Sequence, residues 1–502
     1  MTSINKQNIQ DSINYVSHIF TNNNDQLSSL IEDSMDWAHC NGLILRTKEH
    51  KNRSDICQIA PFSILPSPFP KFLFDHALSV QKALNLLYFK VSWDYEFLKK
   101  EHSQVIKSDE FTRRLLSILD IVRKEGIRQP ITLLTQRADY MCHFDGKSAN
   151  KEINFDKFHL KQIETNNIAV SMGGLAERAT KLHKRIFTKI GKSDYAKSLP
   201  LNEPIKTLCE AIYESWKLFH VSNSILLIVV GETNQNQFDQ RQIEYELERI
   251  SEGKMLIIRM TFAECSRRLV LDEKTFDLFL GDKQVGIVYF RTGYLPEDYV
   301  SENAWNARIL MERSTSIKCP WIGLQMANTK KIQQVLSCPN VLEKYLTSSD
   351  DVKNIRSTFA SMWGLENDDT ETRAIIKDAI ENPQNYVLKP QLEGGGGNYF
   401  DKEITEKLTN FTPEVRASHI LMQRIHPLIV QNYLIRPFDE NCKKLQNVVS
   451  ELGIYGSLIG IGGTEEIKLN KVGGHILRTK LENINEGGIA VGAALVDSPL
   501  LF

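Results

Sequence analysis

The chain has 502 residues, 42% of them apolar and 25% charged, which is the balance of a soluble globular protein too long for one compact core. Lys plus Arg (61) nearly cancels Asp plus Glu (62), for a net charge of -1. No broad basic field therefore points to nucleic acid or an anionic membrane, and any anion site has to be local. The longest apolar run, Ile225 to Val230, is strand-sized and too short for a bilayer. Met1 to Gln10 lack the apolar core of a signal peptide, so a cytoplasmic protein is expected, with secretion as the alternative if a leader has been removed. Eight scattered cysteines without a Cys-x-x-Cys pair predict free thiols rather than a metal cluster or a disulfide framework.

In chain order, the first part to about Ser222 reads as mostly helical. Apolar residues at helical spacing predict helices over Leu78 to Leu87 and Phe111 to Val122, after an irregular connection marked by Pro61, Pro66, Pro68 and Pro70. Phe158 to Glu164 fits a short strand, and Gly173-Gly174 precede a helix from Leu175 to Ile190. Ser224 to Val230, Phe238 to Ile250 and Lys254 to Met260 then read as strand, helix and strand, the order of a parallel sheet with a right-handed crossover. Leu278 to Leu280, Gly281-Asp282 and Gln284 to Phe290 look like a hairpin, followed by helices from Ala304 to Ser316 and Lys330 to Leu336. Further strands are expected at Tyr386 to Leu388, Ile420 to Ile425 and His475 to Lys480, with a helix at Lys444 to Leu452. The expected class is mixed α/β (α+β), with a small α/β lobe at 222–328 inserted between larger parts at 1–221 and 329–502.

Three local patterns carry chemistry. At Lys389-Pro390-Gln391-Leu392-Glu393-Gly394-Gly395-Gly396-Gly397-Asn398 a strand delivers a lysine, then an acid, then four glycines. Glycines present bare N–H groups to an anion, Lys389 can neutralise a phosphate, and Glu393 can hold Mg²⁺ beside phosphate oxygens. The arrangement is not a Walker A loop, since no Gly-Lys-Ser/Thr follows. At Glu164-Thr165-Asn166, alternation sends Glu164 and Asn166 to one face of a strand, where a carboxylate and an amide oxygen suit a hard cation, although a solvated strand face would look the same. In Leu477-Arg478-Thr479-Lys480, ahead of the glycine-rich Glu486 to Gly492, two cations share one face. They need an anion between them, either a ligand or a neighbour such as Glu482 or Glu486. Arg291 at the end of a buried strand repeats the theme, and Arg137 either binds an anion or pairs with Asp139. The histidines read as structural or surface residues.

Taken together, these segments resemble the eukaryotic glutathione synthetase family along nearly the whole chain. Further matching segments are Phe62 to Pro68, Phe238-Asp239-Gln240, Tyr289 to Tyr294, Ala307 to Pro320, Thr329-Lys330-Lys331 and Ser450 to Gly453. The resemblance implies an ATP-grasp fold with an inserted parallel-sheet substrate lobe and a glycine-rich lid at about 362–446. It implies ATP-dependent ligation of γ-glutamylcysteine to glycine through an acyl phosphate, two Mg²⁺ ions and a homodimer. It assigns Lys330 and Lys389 to the phosphates and Gly394 to Gly397 with Asn398 and Phe400 to the lid. Met422, Gln423, Arg424 and Ile425 would line the adenine, Glu451 the ribose, and Lys480 with Glu486 would complete the nucleotide site. Glu164, Asn166 and Glu393 would hold the metal. Arg137, Ala169, Ser171, Asn234, Asn236, Gln240, Arg291, Tyr294, Arg478, Ile489 and Ala490 would surround peptide and glycine, with Arg137, Arg478, Lys330 and Lys389 taking catalytic roles.

Departures from the family pattern cluster on the peptide side. Ala169 replaces the usual serine and Asn234 the usual glutamate. Near the lid the usual asparagine and tyrosine are shifted, with Tyr399 available to supply the ring. Two alternatives accompany the main reading: a diverged ligase with altered peptide or acceptor specificity, and a non-enzymatic nucleotide-binding protein.

Overall fold

The structure is a computed structural model that describes residues 6–20, 24–47, 49–145, 155–391, 397–485, 487–490 and 492–502. Its centre is a seven-stranded, mainly antiparallel sheet. The long strands Ile131–Phe144, Leu445–Ile461 and Ile467–Leu481 pair side by side, with Phe158–Asn166 at one edge and Ile429–Ile435, Phe62–Ser63 and Leu495–Asp497 on the other side. Residues from both ends of the sequence thus share one sheet. The 23-residue helix Lys71–Trp93 and the helix Pro204–Leu218 cover it.

Two sequence expectations fail here. Lys444 to Leu452 is the start of the Leu445–Ile461 strand, not a helix. Its β-branched Val448, Val449, Ile454 and Ile459 favour a strand, and its glycines mark places where other groups come close. The Ile131–Phe144 strand was not anticipated within a mostly helical part. Both its faces are covered, so Thr132, Thr135, Gln136, Arg137 and Asp139 are buried along with the apolar residues, and the alternation that betrays a half-buried strand is lost. The proline-marked connection also contains a strand, Ser67–Phe69, which pairs in parallel with Pro499–Leu501 in a two-stranded ribbon. Pro68 is tolerated there as on any edge.

The second body has the expected parallel sheet. Ile225–Val229 lies between Leu256–Met260 and Lys283–Phe290, and Ile317–Cys319 extends the sheet beyond Lys283–Phe290. The hairpin of Leu278–Leu280 with Lys283–Phe290 is also as expected. A third, small body consists of the antiparallel strands Met362–Gly364, His419–Gln423 and Tyr386–Pro390 with helices Thr370–Glu381 and Lys402–Asn410. It has its own core of Leu365, Ala379, Tyr386, Leu388, Ile404, Leu408 and Leu421. This body ends near Gln423, because Ile429–Ile435 already belongs to the large sheet, whereas the lid expected from sequence reaches about 446. All eight cysteines are free, and among the described residues no helix is long and apolar enough to cross a membrane.

Gly453 decides what the centre of the large sheet can hold. It lies opposite Asp139 in the register, and a Cβ there would stand 2.6 Å from Asp139 Oδ1 and 2.8 Å from Arg137 Cδ. Gly453→Ala is therefore expected to displace the Arg137–Asp139 pair and to destabilise the fold by about 1–3 kcal/mol, measurable as a lowered midpoint in chemical denaturation.

Candidate functional site

The site begins with a pair on one strand. Alternation along Ile131–Phe144 puts Arg137 and Asp139 on the same face, where Arg137 Nε and Nη2 donate to the two Asp139 oxygens at 2.7 and 2.8 Å. Asp139 is fully buried. Its Oδ2 also accepts from Asn166 Nδ2 at 2.9 Å and from Arg478 Nη2 at 2.9 Å. Arg478 is further paired with Glu451 on the neighbouring strand. Burial opposes the charge on both arginines. The adjacent Asp139 carboxylate raises Arg137 well above its ordinary value, while Arg478 stays lowered. Sequence reasoning left Arg137 as either an anion ligand or a partner of Asp139; in the structure Asp139 is its partner. The anion between Arg478 and its surroundings is supplied by Asp139 and Glu451, neither of which had been weighed for that role.

The neighbouring strand, Phe158–Asn166, is bulged. Asp139 faces Glu164 but Tyr140 faces Gln162, which leaves Ile163 as the extra residue. A bulge re-aims side chains, and here the Ile163 carbonyl accepts from Lys389 Nζ at 3.1 Å. Glu164 and Asn166 share a face, as the alternation predicted: Asn166 Nδ2 reaches Glu164 Oε1 at 3.2 Å. Lys330 Nζ bonds the other Glu164 oxygen at 3.0 Å. Burial alone would push the Glu164 carboxyl up, but Lys330, Arg478 and Lys389 together hold it well below the usual carboxylate range, so it is ionised at neutral pH.

Part of this network lines one cavity of about 200 Å³. Glu164, Lys389, Asn398, Phe400, Met422, Gln423, Arg424, Ile425, Glu451, Arg478 and Lys480 line it together with Met141, Val387, Glu482, Ile484 and Asn485. Lys330 stands behind Glu164 rather than in the wall. Lys480 Nζ donates to the Asn485 carbonyl at 2.7 Å. The ring in the wall belongs to Phe400 and not to Tyr399, which turns toward His419; Tyr399 therefore does not supply the ring. Gly397 has a left-handed φ of 74°, a conformation that suits glycine. Glu393, Gly394, Gly395, Gly396 and Glu486 lie outside the described residues.

A hard cation was expected on Glu164, Asn166 and Glu393. Glu164 is ionised, and Asn166 directs its nitrogen to Asp139 and Glu164, which leaves the amide oxygen for a ligand. This donor pair fits Mg²⁺. The acids Asp139, Glu164 and Glu451 also lie within metal-holding reach of one another, but Asp139 is already saturated by two arginines and an amide.

Of the residues expected around the peptide, only Arg478 lines the cavity. Arg137 and Arg291 instead hold the loop before the helix Gly173–Lys189, and Asn234, Asn236 and Gln240 form a separate amide cluster. Arg291 donates to the Val170 carbonyl and to Tyr289 Oη. Arg137 Nη1 and Tyr455 Oη both donate to the Ser171 carbonyl, at 3.2 and 2.8 Å. Asp239 accepts from Met172 N at 2.7 Å and Gly174 N at 2.9 Å. The loop needs this hold, because Ala169 and Met172 take left-handed φ angles of 51° and 71°, which cost non-glycine residues free energy. Gln240 Nε2 donates to Asn234 Oδ1 and Asn236 Oδ1 at 3.2 and 3.0 Å, and Gln235 Nε2 reaches the Ala490 carbonyl at 3.0 Å. Ile489 is buried, and Tyr294 N is held by Asp298. Sequence reasoning overlooked Asp239, whose capping of a helix distant in sequence leaves no local signal.

Two outcomes follow. Asp139→Asn removes the charge that balances Arg137 and Arg478, with an expected loss of about 3–5 kcal/mol, measurable by urea denaturation. His102 supports the helix that carries Lys330: its ring contacts Thr329 Oγ1 at 2.8 Å and the Leu98 carbonyl at 2.7 Å, and burial pushes its pKa down to about 4. The unfolded chain binds this proton more readily than the folded one. Stability is therefore full above about pH 6.5 and falls as pH drops toward 4. Thermal scans of His102→Gln are expected to show a shallower decline across that window.

Comparison with known proteins agrees with this geometry. Residues 24–501 match the family model described as eukaryotic glutathione synthase, ATP binding domain. The chain is 39% identical to the glutathione synthetase of Mus musculus over 478 residues, covering 94% of this chain and 97% of that one. It is 38% identical to that of Homo sapiens, again over 94% and 97%, and 35% identical to that of Dictyostelium discoideum, over 95% and 99%. Among solved structures, a glutathione synthetase-like effector from Globodera pallida in its apo form superposes with a TM-score of 0.74 at 28% identity, over 94% of this chain and 96% of that one. The large antiparallel sheet, the inserted parallel sheet and the small three-stranded body form an ATP-grasp fold, and the chain belongs to the eukaryotic glutathione synthetase family of ATP-dependent ligases.

Proposed function

We propose that the chain joins γ-glutamylcysteine to glycine at the expense of ATP, with the nucleotide in the cavity between the large sheet and the small body. One observation carries this reading: a single cavity has an apolar wall of Met141, Val387, Met422 and Ile425 and, in the same lining, Lys389, Arg478 and Lys480 with Glu164 and Glu451. A flat heteroaromatic base suits the first part and a polyphosphate the second.

Within this reading Lys389 and Lys480 contact phosphates, Lys330 keeps Glu164 ionised and in place, and Glu451 meets the ribose. Glu164 and Asn166 would hold Mg²⁺, with Glu393 as a further ligand and two ions per site, and Mg²⁺ bound there would neutralise charge on the phosphate oxygens. The peptide carboxylate attacks the terminal phosphorus and ADP leaves, giving an acyl phosphate. The glycine amine then attacks the acyl carbon, phosphate departs, and the amine proton passes to solvent or phosphate. No side chain has to act as a nucleophile. The protein's part is positioning and charge stabilisation by Arg137, Arg478 and Lys389. The small three-stranded body, from Met362 to about Gln423, acts as the lid that excludes water from the acyl phosphate, the body at 222–328 presents the peptide, and two copies of the chain associate.

A second reading, altered peptide specificity, is favoured by Asn234. Its side chain is neutral and already engaged with the Gly231 carbonyl at 2.9 Å and with Gln240, so it offers no charge to an amine. Purified protein with ATP, Mg²⁺, γ-glutamylcysteine and glycine is expected to release ADP and phosphate and to form the tripeptide. Lys389→Met is expected to lower kcat/KM by about a hundredfold or more. ADP release only with other γ-glutamyl compounds would favour altered specificity, and none with any substrate would overturn the ligase. Light scattering at twice the monomer mass would support the pairing of copies.

A further inference from the structure

The parallel-sheet body contains a buried polar relay whose direction is set at one end by a residue the reaction scheme does not use. Arg259, on the strand Leu256–Met260, points into the helix Gln237–Ile250. There its Nη2 donates to Gln240 Oε1 at 2.8 Å and its Nη1 pairs with Glu244. Glu244 is nearly inaccessible, at 3% side-chain exposure, and is shared with Arg241. The guanidinium is thus desolvated and fixed in orientation by a carboxylate.

An arginine only donates, whereas a carboxamide both donates and accepts. Gln240 must therefore turn its oxygen toward Arg259 and its nitrogen the other way. That nitrogen meets Asn234 Oδ1 and Asn236 Oδ1, so both asparagine oxygens turn inward. Asn234 then spends its own nitrogen on the Gly231 carbonyl. Among the described residues the Asn236 nitrogen has no protein partner, so Asn236 is left as a donor. Without Arg259 nothing at the buried end fixes this order, and each amide could invert.

We infer that Arg259 is a positioning residue for the peptide substrate: its guanidinium, braced by Glu244, fixes the donor and acceptor polarity of the Gln240, Asn234 and Asn236 amides. The inference rests on the reading of these amides as the γ-glutamyl peptide site. The selected ligand feature is a hydrogen-bond acceptor, a carbonyl or carboxylate oxygen, facing Asn236. Because none of these amides lines the cavity assigned to ATP, the relay acts on peptide binding and leaves nucleotide binding alone.

Two variants of the full-length protein test this. Arg259→Gln keeps bulk and hydrogen bonding but can both donate and accept, so it removes the fixed direction. Its KM for γ-glutamylcysteine is expected to rise about tenfold or more, the factor for a charge-assisted hydrogen bond, with the KM for ATP and the thermal midpoint nearly unchanged. Arg259→Lys still only donates and still pairs with Glu244, and is expected to recover most of the peptide affinity. Equal peptide KM values for the two variants, or a KM for ATP that rises in step, would overturn the relay while leaving the ligase reading intact. If Arg259→Gln does not fold, Arg259→Lys decides alone, since a tenfold loss with lysine would contradict the role of polarity. A wild-type chain that turns over no γ-glutamylcysteine would overturn the functional reading and the relay together.

Discussion

Two arginines cannot stand side by side in a protein interior unless a carboxylate lies between them, and Asp139 is that carboxylate. It is buried, accepts from Arg137 through both oxygens, and also binds Arg478 and Asn166. A desolvated charge is tolerable only with such partners. Three strands of the large sheet therefore meet at one side chain, and Gly453 is small so that they can. The cation cluster beyond it, with Lys330, Lys389 and Lys480, is built outward from this point. Without Asp139 the cations would repel one another, and the site would lose its shape before any ligand arrived.

The chain's chemistry was more legible than its architecture. Lys389 with the following acid and glycines, Glu164 with Asn166, and Arg478 with Lys480 all stood out, because their spacing has a meaning within a single strand. The parallel-sheet body was legible as well, since strand, helix and strand follow one another in sequence. The Ile131–Phe144 strand is hidden because the sheet is covered on both faces there, so polar residues are buried and the period of two disappears. Lys444 to Leu452 has a different cause: Val448 and Val449 are buried together and Leu452 next, with half-buried residues between, a spacing that imitates a helix face. Asp139 as the centre of the site, Asp239 as a distant cap and Arg259 behind Gln240 depend on partners far away in the chain, which no local pattern records.

The loop from Asn167 to Met172 shows how strain is maintained. Two non-glycine residues in it adopt left-handed backbone angles, and Arg291, Arg137, Tyr455 and Asp239 each hold a carbonyl or N–H of the loop or the helix start after it. Arg137 thus joins two functions, since the same guanidinium binds Asp139 and the loop. One side chain on the Ile131–Phe144 strand therefore ties the buried carboxylate to the strained loop.

The small three-stranded body is held on two sides. Lys331 Nζ is buried against Glu366 at 2.5 Å, and Gln391 accepts from the Lys331 backbone at 3.0 Å. On the cavity side Lys389 Nζ donates to the Ile163 carbonyl at 3.1 Å. Just beyond the body, Phe144 N donates to the His426 carbonyl and Leu428 N to the Cys142 carbonyl, both at 2.9 Å. Lys389 is thus both part of the cavity wall and a tie between two bodies, so an anion that drew its ammonium away from Ile163 would slacken that tie in the same event.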